Sequence, residues 1–432
     1  MARILITCFG SYGDLFPYIA LGKELQKRNH VVVLGTTSIF QNIVESEGLP
    51  FTHIRCGLDR HSSLDAVREL MQKVFDPFKG GEYFIREMMN GIDATYEDTR
   101  LAAMDADFVI SNPFAFATPL VCSELNIPWF STILAPMFFM STYDPPTMSA
   151  APWMKSLHTL SPAMYRGLFK LIKRAALSWA KPLYELCTSR QLPFPVANPL
   201  FEGQFSPHGT LAMFPKRFAE PQPDWPDQTI LTGFPIFSAE KANLEVRSER
   251  QVSELEEFLN SGEPPLVFAM GSSAVHIARD FFETSARIAT KLNRRAVLVA
   301  GALADGSIEA GKDHFVIDYV PYDKLFPRAS VIIHQAGIGT LAQAIHAQKP
   351  MLIVPFGFDQ FDNAERMEHL GIALTCKRKD YTIDKASILI EQLATNDAYT
   401  ERAIDIGSGM QCTSGVIIAC NAIEDALIRQ LA

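Results

Sequence analysis

The chain has 432 residues, 48% of them hydrophobic, with 25 Gly and 27 Pro, enough at roughly 150 residues per domain for two or three compact units. Its 39 Lys+Arg against 48 Asp+Glu give a net charge of -9, which removes the overall attraction that DNA, RNA or an anionic membrane would exert, so no nucleic-acid partner is expected. Every strongly apolar run is broken by a charge or a proline before about 18 residues, and residues 1–7 run straight into a strand, so neither a spanning helix nor a signal peptide is expected. Cysteines at positions 8, 56, 122, 187, 376, 412 and 420 form no C-x-x-C pair and fit a reduced, cytoplasmic interior. No histidine lies in H-E-x-x-H or in a Cys/His cluster, so no protein-built metal site is expected.

In chain order, residues 3–9 form a short apolar run ending at Gly10, then Tyr18, Leu21 and Leu25 fall on one helical face, and 31–34 is a β-branched run. The same β–loop–α–β rhythm returns at 107–111 and 128–133, which predicts a parallel sheet covered by helices. Residues 215–235 carry five prolines and read as a boundary with only a brief strand near 229–232. Beyond it, apolar runs at 266–270, 296–300, 314–317, 331–333 and 351–354, each followed by turn residues, predict a second α/β unit. Residues 399–432 have helical spacing and no strand signal. The expected fold is α/β, two Rossmann-like lobes with an interlobe cleft. Its parts are 1–232, a linker 233–245, a second lobe 246–400, and helices 401–432 that are placed to pack back on the first lobe.

Two stretches concentrate chemistry. Gly10-Ser11-Tyr12-Gly13-Asp14 follows the first strand: the glycines let the backbone turn tightly, and the next helix starts with free amides. Asp14 reads either as an acidic first-turn residue or as a working carboxylate. A nicotinamide-binding reading would need an acidic residue after the second strand, where the chain has Leu34-Gly35-Thr36-Thr37, so a dehydrogenase is disfavoured. The second stretch is longer. Strand 331–333 delivers His334, then Gly337, Gly339 and Thr340 open a helix whose amides suit a diphosphate without a lysine, and a later strand ends at Pro355 with Asp359 and Gln360, an acceptor and an amide suited to vicinal hydroxyls.

The set H-x-x-G-x-G-T at 334–340, Pro350 and P-x-x-x-D-Q-x-x-N-A at 355–364 resembles the inverting nucleotide-sugar glycosyltransferases of the two-lobed GT-B class, which includes small-molecule, sterol and antibiotic glycosyltransferases. The G-[ST]-x-G-D-x-x-P loop at 10–17, Gly271-Ser272 and Thr232-Gly233 extend the resemblance over most of the chain. Within the class the chain looks most like the catalytic chain of bacterial rhamnolipid-forming rhamnosyltransferases, through Phe214-Pro215, Asp224-Trp225-Pro226, Thr232-Gly233-Phe234-Pro235 and the run 359–366. The resemblance implies that Tyr319 stacks on the pyrimidine and the Val320 backbone bonds its edge. It implies that Ser272, His334, Gly337, Gly339 and Thr340 meet the diphosphate and that Asp359 and Gln360 grip the sugar. It makes Asp14 the general base, on an active-site loop with Gly10, Ser11 and Gly13. The dyad carboxylate of plant-type members falls near Asn112 and is absent, and Gln343 stands at their ribose-binding glutamate.

The expected reaction is therefore metal-independent transfer of a hexose, with inversion, from a UDP- or dTDP-sugar such as UDP-glucose or dTDP-rhamnose to a hydroxyl of an apolar small molecule or lipid, with no cofactor. Alternatives are a rhamnosyltransferase using dTDP-rhamnose on a hydroxyacyl lipid, a nucleotide-sugar epimerase on the same scaffold, and a catalytically silent binding protein. Thirty Phe in the chain suit an apolar pocket as well as a core, and Asn112, Phe114, Phe116, Met137, Phe138 and Phe139 follow successive strand ends where an acceptor would lie. Asp105-Ala106-Asp107 spells D-x-D but precedes a strand, which reads as a solvated strand entry. In 162–181, Tyr165, Leu168, Phe169, Ile172, Ala176 and Trp179 make an apolar stripe beside Arg166, Lys170, Lys173, Arg174 and Lys181. That pattern fits a surface helix of the first lobe or peripheral contact with the inner membrane face.

Overall fold

A computed structural model describes residues 1–61, 63–151, 161–237, 249–304, 306–309, 311–410 and 415–431. Most of the expected linker, from 238 onward, lies outside the described residues. Contacts divide the chain into two units, 1–66 with 76–237 and 412–432, and 67–75 with 238–411. The last helix thus belongs with the N-terminal unit, and a nine-residue piece of the N-terminal half of the sequence belongs with the C-terminal one.

The first unit is built on a seven-stranded sheet, β1 (Arg3–Thr7), β2 (Val31–Thr36), β3 (Phe51–His53), β4 (Phe108–Ser111), β5 (Trp129–Ile133), β6 (Thr210–Ala212) and β7 (Thr229–Leu231), in the order β3-β2-β1-β4-β5-β6-β7. All neighbours are parallel, with Ile6 opposite both Leu34 and Ile110. Parallel strands need crossovers that cover both faces, which is why β1, β4 and β5 are mostly apolar and are buried throughout, Arg3 excepted. The strand order reverses between β1 and β4, so the loops leaving these two strands diverge and open a crevice at their carboxyl ends.

The second unit repeats the plan with β8 (Leu266–Ala269), β9 (Ala296–Val299), β10 (His314–Ile317), β11 (Val331–His334), β12 (Met351–Ile353) and β13 (Ala373–Thr375), ordered β10-β9-β8-β11-β12-β13 and parallel. Here the order reverses between β8 and β11. Phe75, carried by the 67–75 piece, packs on this unit with Phe356 and Phe358 and fills the space beside Gly357, where a Cβ would lie 2.8 Å from its ring.

The Gly415–Leu431 helix returns to the N-terminal unit and lies along the Tyr12–Lys27 helix. Arg28 Nη1 donates to Glu424 Oε2 at 2.6 Å and to Asn421 Oδ1 at 2.7 Å, while His30 Nε2 lies 3.2 Å from Glu424 Oε1. Its first residue must be small: a Cβ on Gly415 would sit 2.5 Å from the Phe234 carbonyl oxygen and 2.7 Å from that of Gly233. Among the described residues no helix is long and apolar enough to cross a membrane.

Gly415→Ala is expected to cost about 2 kcal/mol or more through this backbone clash, lowering Tm by roughly 4 °C. Gly167→Ala, in a helix where a Cβ meets nothing within 4 Å, is expected to raise Tm slightly by removing the entropic cost of a helical glycine. Differential scanning calorimetry of the two variants reads both signs.

Candidate active site

In the N-terminal unit the site grows from the turn after β1. Gly10 has φ +132°, a conformation L side chains rarely adopt, and a Cβ there would lie 2.3 Å from Asp14 Oδ2. Ser11 is the N-cap of the Tyr12–Lys27 helix and Asp14 is its third residue, so the carboxylate reaches back in a capping box. Asp14 Oδ2 accepts from the Ser11 amide at 2.7 Å and from the Ser11 hydroxyl at 3.0 Å. Burial pushes the Asp14 carboxyl above the usual carboxylate range, against the downward pull of the Ser11 hydrogen bonds. Desolvation therefore outweighs the cap, and the carboxyl is a stronger base than a free aspartate.

Across the β1–β4 crevice, Asn112 is buried and spends both ends of its amide on the backbone: Nδ2 donates to the Phe9 carbonyl at 2.7 Å, and Oδ1 accepts from the Phe114 amide at 3.2 Å. It joins the two loops instead of presenting a free group. Phe114 and Phe138 are half-buried and meet edge to face at 5.6 Å, with Phe84 against Phe114 at 4.9 Å, and Met137 is half-buried beside them in sequence. Phe116 and Phe139 are buried, Phe116 in the core under the sheet and Phe139 stacked on Trp225 at 4.1 Å. Asp107, of the D-x-D stretch, accepts from the Arg3 amide at 2.7 Å at the entrance to β4.

In the C-terminal unit β11 ends at His334, fully buried. Its Nδ1 accepts from the Ala336 amide at 3.1 Å, which fixes the proton on Nε2, and Nε2 has no partner among the described residues. Burial lowers its pKa to about 3, so this imidazole is a neutral hydrogen-bond donor. Ala336 (φ +65°) and Phe358 (φ +52°) are left-handed non-glycine residues on the loops after β11 and β12, each costing roughly 1 kcal/mol or more. Gly337 is the N-cap of the Ile338–His346 helix and supplies no side-chain cap, leaving the first-turn amides of Ile338, Gly339 and Thr340 to a ligand. Gly271, beside half-buried Ser272 after β8, has no room for a Cβ, which would meet Gln335 Nε2 at 2.3 Å.

Asp359 precedes the Gln360–His369 helix, and its Oδ2 accepts from Asn363 Nδ2 at 2.7 Å; the same nitrogen donates to the Ala336 carbonyl at 2.9 Å and couples the two strained loops. Gln360 is buried, with Oε1 held by the Phe356 and Gly357 amides at 2.8 and 3.1 Å, so only its Nε2 end can serve a ligand. Tyr319, half-buried after β10, precedes buried Val320, and Tyr322 donates to the Met270 carbonyl at 3.3 Å. Gln335 and Asn363 are the parts that residue types alone did not single out. Gln335 Nε2 fills the space beside Gly271 and Gly337, which only the fold brings together, and Gln343 lies half-buried on the Ile338–His346 helix. Among the described residues no group of three or more His, Cys, Asp or Glu could hold a metal ion.

Residues 4–141 match the glycosyltransferase family 28 N-terminal domain, and residues 307–414 match the erythromycin biosynthesis protein CIII-like C-terminal domain. The chain is a glycosyltransferase of the GT-B class. It is 28% identical to the O-mycaminosyltylonolide 6-deoxyallosyltransferase of Streptomyces fradiae over 98% of this chain and 97% of that one. It is 27% identical to the sterol 3-beta-glucosyltransferase UGT80A2 of Arabidopsis thaliana over 86% of this chain, spanning 57% of the plant protein's length. The calicheamicin glycosyltransferase CalG4 shares the fold, with a TM-score of 0.70 at 17% identity and 99% of each chain covered.

The glycosyltransferase is expected to keep His334 neutral from pH 5 to 8. In ring-labelled protein the His334 NMR signals should not titrate in that window, whereas a transition near the unperturbed value of about 6.5 would contradict the assigned burial and tautomer.

Proposed function

We propose that the enzyme transfers a hexose from a UDP- or dTDP-activated donor to a hydroxyl of an apolar small molecule or lipid, with inversion and without a metal ion. The observation that carries the reading is Asp14: a carboxylate pinned by Ser11 at the carboxyl end of β1, with its pKa raised by burial. Its part in the reaction is to take the proton of the acceptor hydroxyl as that oxygen attacks the anomeric carbon. The bond from that carbon to the β-phosphate oxygen breaks, and its electron pair leaves with the nucleoside diphosphate. A single displacement of this kind inverts the anomeric centre, and base assistance is worth typically about 10²–10⁴ in rate.

The departing diphosphate gains charge, and the C-terminal unit offers neutral donors for it. The first-turn amides of the Ile338–His346 helix carry the positive end of the helix dipole, and His334 Nε2–H is an unpartnered donor that costs nothing to reorganise. Asp359 supplies acceptors for sugar hydroxyls, Gln360 a single amide donor, and Tyr319 a face for the base. Phe114, Met137 and Phe138 offer half-buried apolar surface near the β1–β4 crevice for the acceptor. The names of the two relatives, a deoxyhexosyltransferase and a sterol glucosyltransferase, support hexose transfer to an acceptor of this class.

Asp14→Asn is expected to lower kcat by about 10²–10⁴. Because ionised Asp14 is held above its unfolded pKa, its charge costs stability as pH rises above the unfolded value, so Asp14→Asn should leave Tm at pH 8 unchanged or raise it. Ser11→Ala removes a hydrogen bond that favours the ionised form, so the acid limb of the kcat profile should move to higher pH. A profile unmoved in Ser11→Ala, with near-normal kcat in Asp14→Asn, would sink the base assignment.

Turnover is expected to survive EDTA in full. Its loss on chelation and restoration by Mg²⁺ or Mn²⁺ would show that amides and an imidazole do not suffice for the leaving group.

A further inference from the structure

A cavity of about 730 Å³ opens in the N-terminal unit and shares no residue with Asp14 or with the donor-binding set. One wall is the Pro162–Ala176 helix, whose apolar stripe is turned inward: Tyr165 and Phe169 pack on Met140, with Leu168 and Ile172 against the same cluster. The basic flank of the helix lines the cavity through Arg166, Lys170, Lys173 and Arg174. Lys173 is already paired, its Nζ donating to Glu202 Oε1 at 2.5 Å. The other three have no acidic partner among the described residues.

Arg166, Lys170 and Arg174 stand at i, i+4 and i+8, one above another along the helix. Like charges at this spacing repel, at about 0.2–0.5 kcal/mol per pair, so the row costs stability unless an anion supplies the missing countercharge. Two of the three carboxylates around the cavity are committed. Glu202 holds Lys173, and Asp224 accepts from Ser141 Oγ at 2.6 Å, the Thr142 amide at 2.7 Å and Thr142 Oγ1 at 2.8 Å. Asp224 keeps its charge, because its partners are neutral donors, so four cations face three carboxylates and an excess of about one positive charge remains, spread over a row of three cations whose donors suit the three oxygens of a phosphate monoester. The apolar part of the lining is mostly aromatic, Phe169, Phe205, and Trp225 stacked on Phe139, with Met140 and Pro226 beside them. Trp225 is 7% exposed and its Nε1 donor has no partner among the described residues.

We propose that this cavity binds a phosphate-headed amphiphile, the phosphate against Arg166, Lys170 and Arg174 and the apolar body along Phe169, Phe205 and Trp225. A carboxylate offers two oxygens to a row of three cations where a phosphate monoester offers three, a neutral alcohol would leave the row as it is, and inorganic phosphate would leave the aromatic lining unused. The site is independent of the transfer reading, since neither group of proposed reaction residues contributes to it.

Isothermal titration calorimetry with octyl phosphate, octanoate, 1-octanol and inorganic phosphate below their aggregation limits tests it, alongside flotation with phosphatidic acid vesicles. Octyl phosphate is expected to bind one per chain, at least tenfold tighter than the other three. Lys170→Ala/Arg174→Ala should weaken it at least tenfold while Tm holds or rises, and His334→Ala should leave it unchanged. Equal affinity for octanoate, or undiminished binding in the double variant, would overturn the proposal. So would loss in His334→Ala, which would put the phosphate at the donor cradle. Binding to vesicles with none to monomeric octyl phosphate would also overturn it, making the helix a bilayer contact and the cavity irrelevant.

Discussion

The hydrogen bond from the Ser11 amide to the Asp14 carboxylate sets the terms for the N-terminal half of the chemistry. It exists because Gly10 turns with positive φ and has no Cβ to collide with that carboxylate, and because Ser11 starts the helix so that Asp14 falls in the first turn. The helix dipole and the Ser11 donors favour the anion, while burial opposes it. Burial prevails, so the carboxyl titrates above a free aspartate and its ionised form costs the folded state stability. Stability given up at this position makes the carboxylate a stronger base than a free aspartate.

The C-terminal unit solves a complementary problem with the same ingredients. A parallel sheet reverses its order between β8 and β11, a helix begins at the reversal, and its amides face outward uncapped. The loop leaving β11 reaches that geometry only by forcing Ala336 into a left-handed conformation, and the loop after β12 does likewise at Phe358; Asn363 ties the first to Asp359, beside the second. His334 is placed deep enough that charging it is too costly, so the cradle is made of neutral donors. Such a cradle holds an anion by preorganised dipoles instead of net charge and leaves no cation for the product to be trapped on.

Much of this was legible in the residues. The β-α rhythm marked both sheets because parallel strands buried on both faces must be apolar throughout, and the runs 10–17 and 334–364 are local sequence that turns and helix starts dictate. What escaped reading was decided by tertiary packing. Thr210–Ala212 opens the short apolar run 211–214 just before the proline-rich stretch, and its place between β5 and β7 makes it a strand. Phe75 sits among N-terminal residues in sequence and packs beside Gly357. Phe114 and Phe116 are indistinguishable as sequence, and only the fold separates a half-buried surface from the core. Gln360 was read as an amide for sugar hydroxyls; the backbone amides of Phe356 and Gly357 claim its oxygen, which only the fold shows. The 162–176 helix showed its two faces correctly but not which one looked inward.

The central claim is a single displacement driven by Asp14, and the stereochemistry of the product tests it most directly. The glycoside formed from an α-linked nucleotide-glucose donor and an apolar alcohol can be assigned from the proton coupling at its anomeric carbon by NMR. The account predicts a β-glycoside from the first turnover onward. An α-glycoside would require two displacements or front-face attack, and would contradict the role given to Asp14.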